Sequence, residues 1–298
     1  MKKSALPYAA FAGCALIWSS TFLVIRVGND SLAPIWACGL RLALAAVILT
    51  LILLGTGQKW PKGPALKAAA WYGFWEFGVS LSLLYWGERV VPSGLAAVLY
   101  AICPVTAMIE AKALGMEDLS FKRLGAALIA FGGVVVIFWG ELLHGGSPLG
   151  LLAIFVAACA APIAGLMLQR GPRQGAVGAN AVGALVGFGI CMVVSFSLGE
   201  PHPVPRAAGQ FLPIAYLAVA SSTVAFVLFA WLVHRWGTTT VAFLGVIVPV
   251  IAVVLGAVFR NESFAPGSLV GAVVVVVGVT IALRTPSSAS DSVAAVEA

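Results

Sequence analysis

The sequence predicts an all-α polytopic membrane protein, with ten transmembrane helices forming two inverted five-helix repeats around a central cavity. Three observations carry that expectation. Of the 298 residues, 61% are hydrophobic and 9% charged, too few charges for a soluble chain of this length to cover its own surface. Apolar runs of about 20 residues, enough to cross a bilayer at ~1.5 Å per residue, recur along the chain. One stretch is also written twice: Trp86, Pro104, Glu117 and Gly133 recur as Trp231, Pro249, Glu262 and Gly278, each displaced by 145 residues. Five spans per copy is an odd number, so the second copy enters the membrane from the opposite side. The expected organisation is residues 1–145 as the first repeat, 146–284 as the second and inverted one, and 285–298 as a disordered cytoplasmic tail.

The expected spans are Tyr8 to Ile25, Pro34 to Leu54, Leu66 to Gly87, Ser93 to Leu114, Leu124 to Trp139, Leu149 to Leu168, Val177 to Leu198, Phe211 to Leu232, Thr238 to Phe259, and Leu269 to Leu283. Met1-Lys2-Lys3 before an apolar run has the charge order of a signal peptide. The run is long for one and no small-residue cleavage site closes it, so it reads as the first span. Basic residues fix the orientation. Twelve, among them Lys2, Lys59, Lys112, Arg123, Arg173, Arg235 and Arg284, fall on one side, against Arg26, Arg89, Arg206 and Arg260 on the other. Both termini are then expected in the cytoplasm. The net charge of +6 reflects this rim facing the lipid headgroups and implies no nucleic-acid partner.

The first span carries Trp18-Ser19-Ser20-Thr21 at membrane depth, with Ser19 and Phe22 on one face. Two readings fit: hydroxyls bonded to their own helix carbonyls, or a cavity wall that includes Trp18, Ser19 and Phe22. The second span holds Arg41 below its end. An intramembrane arginine is costly and needs a partner, and Glu76 near the middle of the third span is the expected one. Such a charge pair, Arg41 with Glu76, could be architectural, could anchor a substrate carboxylate, or could take up a proton.

Tyr72, Glu76 and Ser80 follow at i, i+4 and i+8 and form a polar stripe that must face protein or water. Offset by 145, Glu76 becomes Ser221, so the acidic feature belongs to one copy alone. Tyr100 and Pro104 share a face in the fourth span; Gly245 and Pro249 repeat the pattern in the ninth, and Pro162 interrupts the sixth. Proline removes a helix hydrogen bond, so Pro104, Pro162, Gly245 and Pro249 are candidate hinges or, more simply, shapers of the bundle. In the eighth span Ser222 and Phe226 share a face and, with Tyr72, Glu76, Ser80 and Tyr100, join the expected cavity lining. The fifth and tenth spans are rich in Gly, Val and Ala; Gly267 and Gly271, like Gly183 and Gly187 in the seventh span, have the spacing of close helix packing, within one chain or between two. The five cysteines all lie in apolar runs and read as small packing residues.

Taken in order, the polar first span with its tryptophan, the arginine of the second, the proline-centred fourth and ninth, and the acidic loop before a glycine-rich fifth and tenth resemble the drug/metabolite transporter superfamily. The chain is most similar to EamA-like ten-helix exporters, in particular those of the YddG type that export aromatic amino acids and paraquat. The resemblance implies a basket of helices whose cavity is lined by spans one, three, four, six, eight and nine, with five and ten set behind. It departs from the four-helix multidrug relatives, which carry a first-span glutamate where this chain has no carboxylate.

The expected function is export of amino acids, aromatic ones included, and similar small amphipathic metabolites by alternating access across a bacterial inner membrane, by a monomer. A phosphate-bearing substrate would call for several mid-span Lys or Arg, and there is one. A multidrug or organic-cation exporter is the rival, since aromatic rings and Glu76 attract cations. An intramembrane enzyme is more distant: His144 and His202 lie in loops, His234 at a span end, and there is neither a G-x-S-x-G sequence nor a metal-spaced cluster. No metal or cofactor is expected.

Overall fold

Proline sets where many of the helices begin. Its fixed φ suits the first turn, and its missing N–H costs nothing there. Pro7, Pro34, Pro64, Pro104 and Pro148 all stand in the first turn of a helical segment. The computed structural model describes residues 5–139, 147–260 and 266–285, with the backbone alone over 253–260 and 266–269. Lys2, Lys3, His144, Glu262 and the tail beyond Thr285 lie outside the described residues.

Helix α1 spans Leu6–Asn29 and α2 spans Pro34–Gly55. Helix α3 runs without a break through three segments, Pro64–Gly73, Phe74–Ser80 and Leu81–Gly87, the middle one a π-helix. Helix α4 consists of Ser93–Tyr100 and Cys103–Ala113, α5 is Phe121–Ile137, α6 is Pro148–Arg170 and α7 is Ala176–Ser197. Helix α8 covers Ala208–Trp236 and contains a second π segment, Leu217–Ala225, where the Thr223 hydroxyl donates to the carbonyl of Ala218 at 2.9 Å, five residues back. Helix α9 opens with the short turn Thr238–Val241 and continues as Leu244–Arg260, and α10 is Pro266–Arg284. Among the described residues there are no strands.

Six of these helices, α1, α2, α4, α6, α7 and α8, are long and apolar enough to cross a membrane. Their outward faces carry large exposed apolar side chains such as Leu16, Leu51, Phe155, Val193 and Phe211. Water would penalise such a surface and lipid does not.

Helices without an aqueous hydrophobic drive between them associate through close backbone approach, and the glycines sit where it happens. A β-carbon on Gly133 of α5 would stand 2.7 Å from the Gly271 carbonyl oxygen of α10 and 2.8 Å from the Val275 nitrogen. One on Gly278 would stand 2.7 Å from the Ala126 carbonyl oxygen and from the Ala130 nitrogen. Gly183 and Gly187 of α7 are likewise occupied within the chain, their would-be β-carbons running into the ring and the β-carbon of Phe77. Helices α5 and α10 therefore lock onto one another, leaving the others to enclose a cavity.

Candidate functional site

That cavity, of about 110 Å3, is lined from α1, α2, α3, α4, α6, α8 and α9. None of the described residues of α5 or α10 lines it, whereas α2, a helix the resemblance left out, contributes Arg41. Aromatic rings form much of its wall. The ring centroid of Trp18 lies 5.0 Å from that of Phe226 and 5.5 Å from that of Phe229, while Phe22 meets Tyr100 edge-on at 5.5 Å. Such tilted contacts hold the rings by their quadrupoles and keep the faces apolar.

Two opposite charges lie in this wall, Glu76 and Arg41. The direct ion pair expected between them is not formed, since among the described residues the ion pairs within 4.0 Å are Lys112 with Asp118 and Arg123 with Glu117. Arg41 is fully buried and bonds instead to the second half of the chain: its Nε donates to Ser222 Oγ at 2.7 Å and its Nη2 to Ser221 Oγ at 2.9 Å. Its guanidinium carbon lies 5.9 Å from the ring centre of Tyr85, and its Nη1 has no hydrogen-bond partner among the described residues. The carboxylate of Glu76 likewise makes no hydrogen bond to a described residue, and the charge that acts on it is that of Arg41. Each group is thus held near the other but left with unsatisfied capacity.

The polar stripe of α3 does not share one face. Residues 74–80 form a π-helix, whose wider turn breaks the i, i+4, i+8 alignment that an α-helix would give. Tyr72 therefore turns away from the cavity and its hydroxyl donates to Asn180 Oδ1 on α7 at 3.0 Å. Asn180 is anchored in turn by donating to the carbonyls of Ala176 and Phe226. Ser80 lies outside the lining as well. It donates to the Ala157 carbonyl at 2.9 Å, so its contact with the Tyr100 hydroxyl, also 2.9 Å, has tyrosine as the donor. Ser80 thereby fixes a cavity residue from behind.

Of the expected cavity residues, Trp18, Phe22, Glu76, Tyr100 and Phe226 line it, and Ser19, Tyr72, Ser80 and Ser222 do not. Ser19 donates to the Leu16 carbonyl of its own helix at 2.6 Å, because that bond satisfies the hydroxyl at membrane depth. Of the candidate hinges, Pro162 and Gly245 line the cavity, and Pro104 and Pro249 stand one residue behind its wall residues Cys103 and Val248. Thr21, Ser221, Phe229 and Thr238 also line it without having been singled out for it. Ser221 was legible as the residue that Glu76 becomes in the second copy; both occupy π segments, the kind of helix distortion that recurs at functional sites. Nothing in the spacing marked Thr238.

Residues 6–139, and again residues 147–284, match the sequence pattern of the EamA-like transporter family. The chain belongs to that family. It is a family of transporters, not of enzymes. A chain similar to this one is the uncharacterized inner membrane transporter YedA of Escherichia coli K12, 28% identical over 276 residues and covering 90% of each chain. An S-adenosylmethionine/S-adenosylhomocysteine transporter of Chlamydia trachomatis is 27% identical over 86% of this chain and 82% of its own. A probable terminal-alkyne amino-acid exporter of Streptantibioticus cattleyicolor is 27% identical over 90% of each. A solved crystal structure of another protein shares the fold with a TM-score of 0.77 at 17% identity, over 95% of this chain and all of that one.

Proposed function

We propose that this EamA-family protein exports amino acids, aromatic ones included, and similar small amphipathic metabolites across a bacterial inner membrane by alternating access. One observation carries the reading: two opposite charges with spare bonding capacity, the Nη1 of Arg41 and the carboxylate of Glu76, face one aromatic-walled cavity without neutralising each other. A zwitterion supplies the missing partners, its carboxylate to Arg41 and its ammonium to Glu76, while the rings accept a variable side chain. The cavity of about 110 Å3 is well below the roughly 300 Å3 at which ligand pockets begin, so an aromatic amino acid enters only when the walls move.

The architecture we assign is ten transmembrane helices in two inverted five-helix repeats, residues 1–145 and 146–284, with both termini cytoplasmic and a monomer as the working unit. The reciprocal packing of α5 and α10 supports it. Gly133 meets Gly271 and Val275, while their counterparts at 145 residues' offset, Gly278 with Ala126 and Ala130, make the same contacts in reverse. Such reciprocity is the mark of a two-fold relation. Pro104 and Pro249, one in each repeat, are the hinges we assign to rocking.

The aromatic walls and the unbonded carboxylate of Glu76 also favour a second reading, export of organic cations. Counterflow of labelled tryptophan in proteoliposomes, with and without a pH gradient, tests both. Saturable tryptophan uptake reduced about tenfold in Glu76→Gln is the expected result. Paraquat uptake without tryptophan uptake would move the cation reading ahead, and uptake of neither would sink both.

A further inference from the structure

A second cavity, of about 310 Å3, opens where the α6–α7 connection and the end of α8 meet the start of α1. Arg173, Gln174, His234 and Arg235 enter it beside Trp231 and Trp236. The described residues that line it include two arginines and no Asp or Glu. The guanidinium of Arg235 lies 4.5 Å from the ring centre of Trp231. That stacking uses the flat face of the cation and leaves its N–H edge for an acceptor. Arg173 is near enough to act on His234 electrostatically.

Three buried polar atoms here lack partners among the described residues: Oε1 and Nε2 of Gln174, and Nε2 of His234. Buried amide and imidazole groups are normally satisfied, and an amide with both its donor and its acceptor open, together with an imidazole, beside two arginines points to a missing ligand that carries acceptor oxygens and a hydroxyl donor. We infer that this cavity binds a phosphate-bearing anion, with Arg173 and Arg235 meeting its oxygens, Gln174 and His234 completing its hydrogen bonds, and Trp231 and Trp236 walling an attached apolar or polyol group. The chemistry fits two sources. The headgroup of an anionic phospholipid could enter from the leaflet, because basic pockets between helix ends suit such headgroups, and a soluble phosphate ester could enter from water.

The test uses the full-length protein in detergent. Native mass spectrometry counts retained dioleoylphosphatidylglycerol against dioleoylphosphatidylcholine, and a parallel titration with inorganic phosphate and glycerol 3-phosphate follows tryptophan fluorescence. We expect saturable binding of one anionic probe, weakened at least tenfold in the double variant Arg173→Gln/Arg235→Gln and unchanged in Arg89→Gln. Phosphatidylglycerol that resists displacement by phosphate assigns a lipid; phosphate ester binding without lipid retention assigns a soluble ligand. Gln174→Leu removes both unpaired amide atoms, so it should raise the thermal midpoint of the ligand-free protein while weakening the anionic probe at least threefold, a combination that a packing role would not give. No saturable binding of any anionic probe, or equal binding by wild type and either variant, overturns the site.

Discussion

The carbonyl oxygen of Tyr100 lies 2.6 Å from where a β-carbon on Gly245 would stand. Each of these residues precedes a proline by four, Pro104 and Pro249, and the two are related by the 145-residue offset. Proline lacks the N–H that would otherwise be directed at those carbonyls, so each helix forgoes one backbone bond where the two meet. Helix α4 is interrupted there, between Ser93–Tyr100 and Cys103–Ala113.

That contact tolerates no side chain. Gly245→Ala drives a methyl into a backbone atom, which cannot swing aside as a side chain could, and should destabilise the protein by about 1–3 kcal/mol. Gly189→Ala, where nothing lies within 4 Å of the new β-carbon, should be neutral or stabilise α7 by up to about 1 kcal/mol. Thermal unfolding in detergent compares them, and equal midpoints would refute the proposed crowding.

Arg41 ties α2 to α8 through two serines on consecutive residues, a geometry suited to a fork of N–H donors. Arg41→Lys keeps the charge but has no fork, so one serine and the substrate group lose their donor. Charge-assisted bonds contribute about 1.5–3 kcal/mol, so proteoliposome uptake should fall at least tenfold. Uptake at the wild-type rate would show that charge alone suffices.

Glu117, in the loop before α5, accepts from the Thr239 hydroxyl at 2.9 Å and faces Arg123 Nη1 at 3.8 Å, while Arg123 Nη2 donates to Thr240 at 3.0 Å. Both charged side chains are almost wholly buried. Glu117→Ala strands Arg123 without its counter-charge, an expected loss of about 3 kcal/mol. Glu117→Ala/Arg123→Leu should recover much of it. A double variant as unstable as the single one would argue against coupling of the pair.

Glu88 caps the end of α3, fully buried, with neither carboxylate oxygen hydrogen-bonded to a described residue; Arg26 donates to its backbone carbonyl instead. Burial pushes its carboxyl well above the usual range, against the opposing pull of Arg26. The sign comes from linkage. An acid with a raised folded pKa holds its proton longer in the folded state, so stability is highest below the unfolded value near 4.5 and falls as pH rises toward the folded one. Glu88→Gln should therefore flatten the pH dependence and raise the thermal midpoint at neutral pH. A variant whose midpoint keeps the wild-type pH slope would remove Glu88 as its source.

The positions of the apolar runs, the duplicated proline-bearing helices, the all-helical class and the family were legible in the sequence, because a bilayer demands apolar length and a repeat preserves spacing. Trp18, Phe22, Tyr100 and Phe226 could be placed in the cavity because large rings at mid-span have few other uses. The helix faces were not legible. An extra residue in a turn rotates the remainder of the helix by about 100°, and the two π segments, Phe74–Ser80 and Leu217–Ala225, bring such turns where hydropathy shows nothing. Tyr72 was thereby sent to Asn180 and Ser80 to the Ala157 carbonyl. Arg41 took two hydroxyls across the molecule, where counting depth had given it Glu76, because depth fixes which residues share a layer and only packing decides which of them touch.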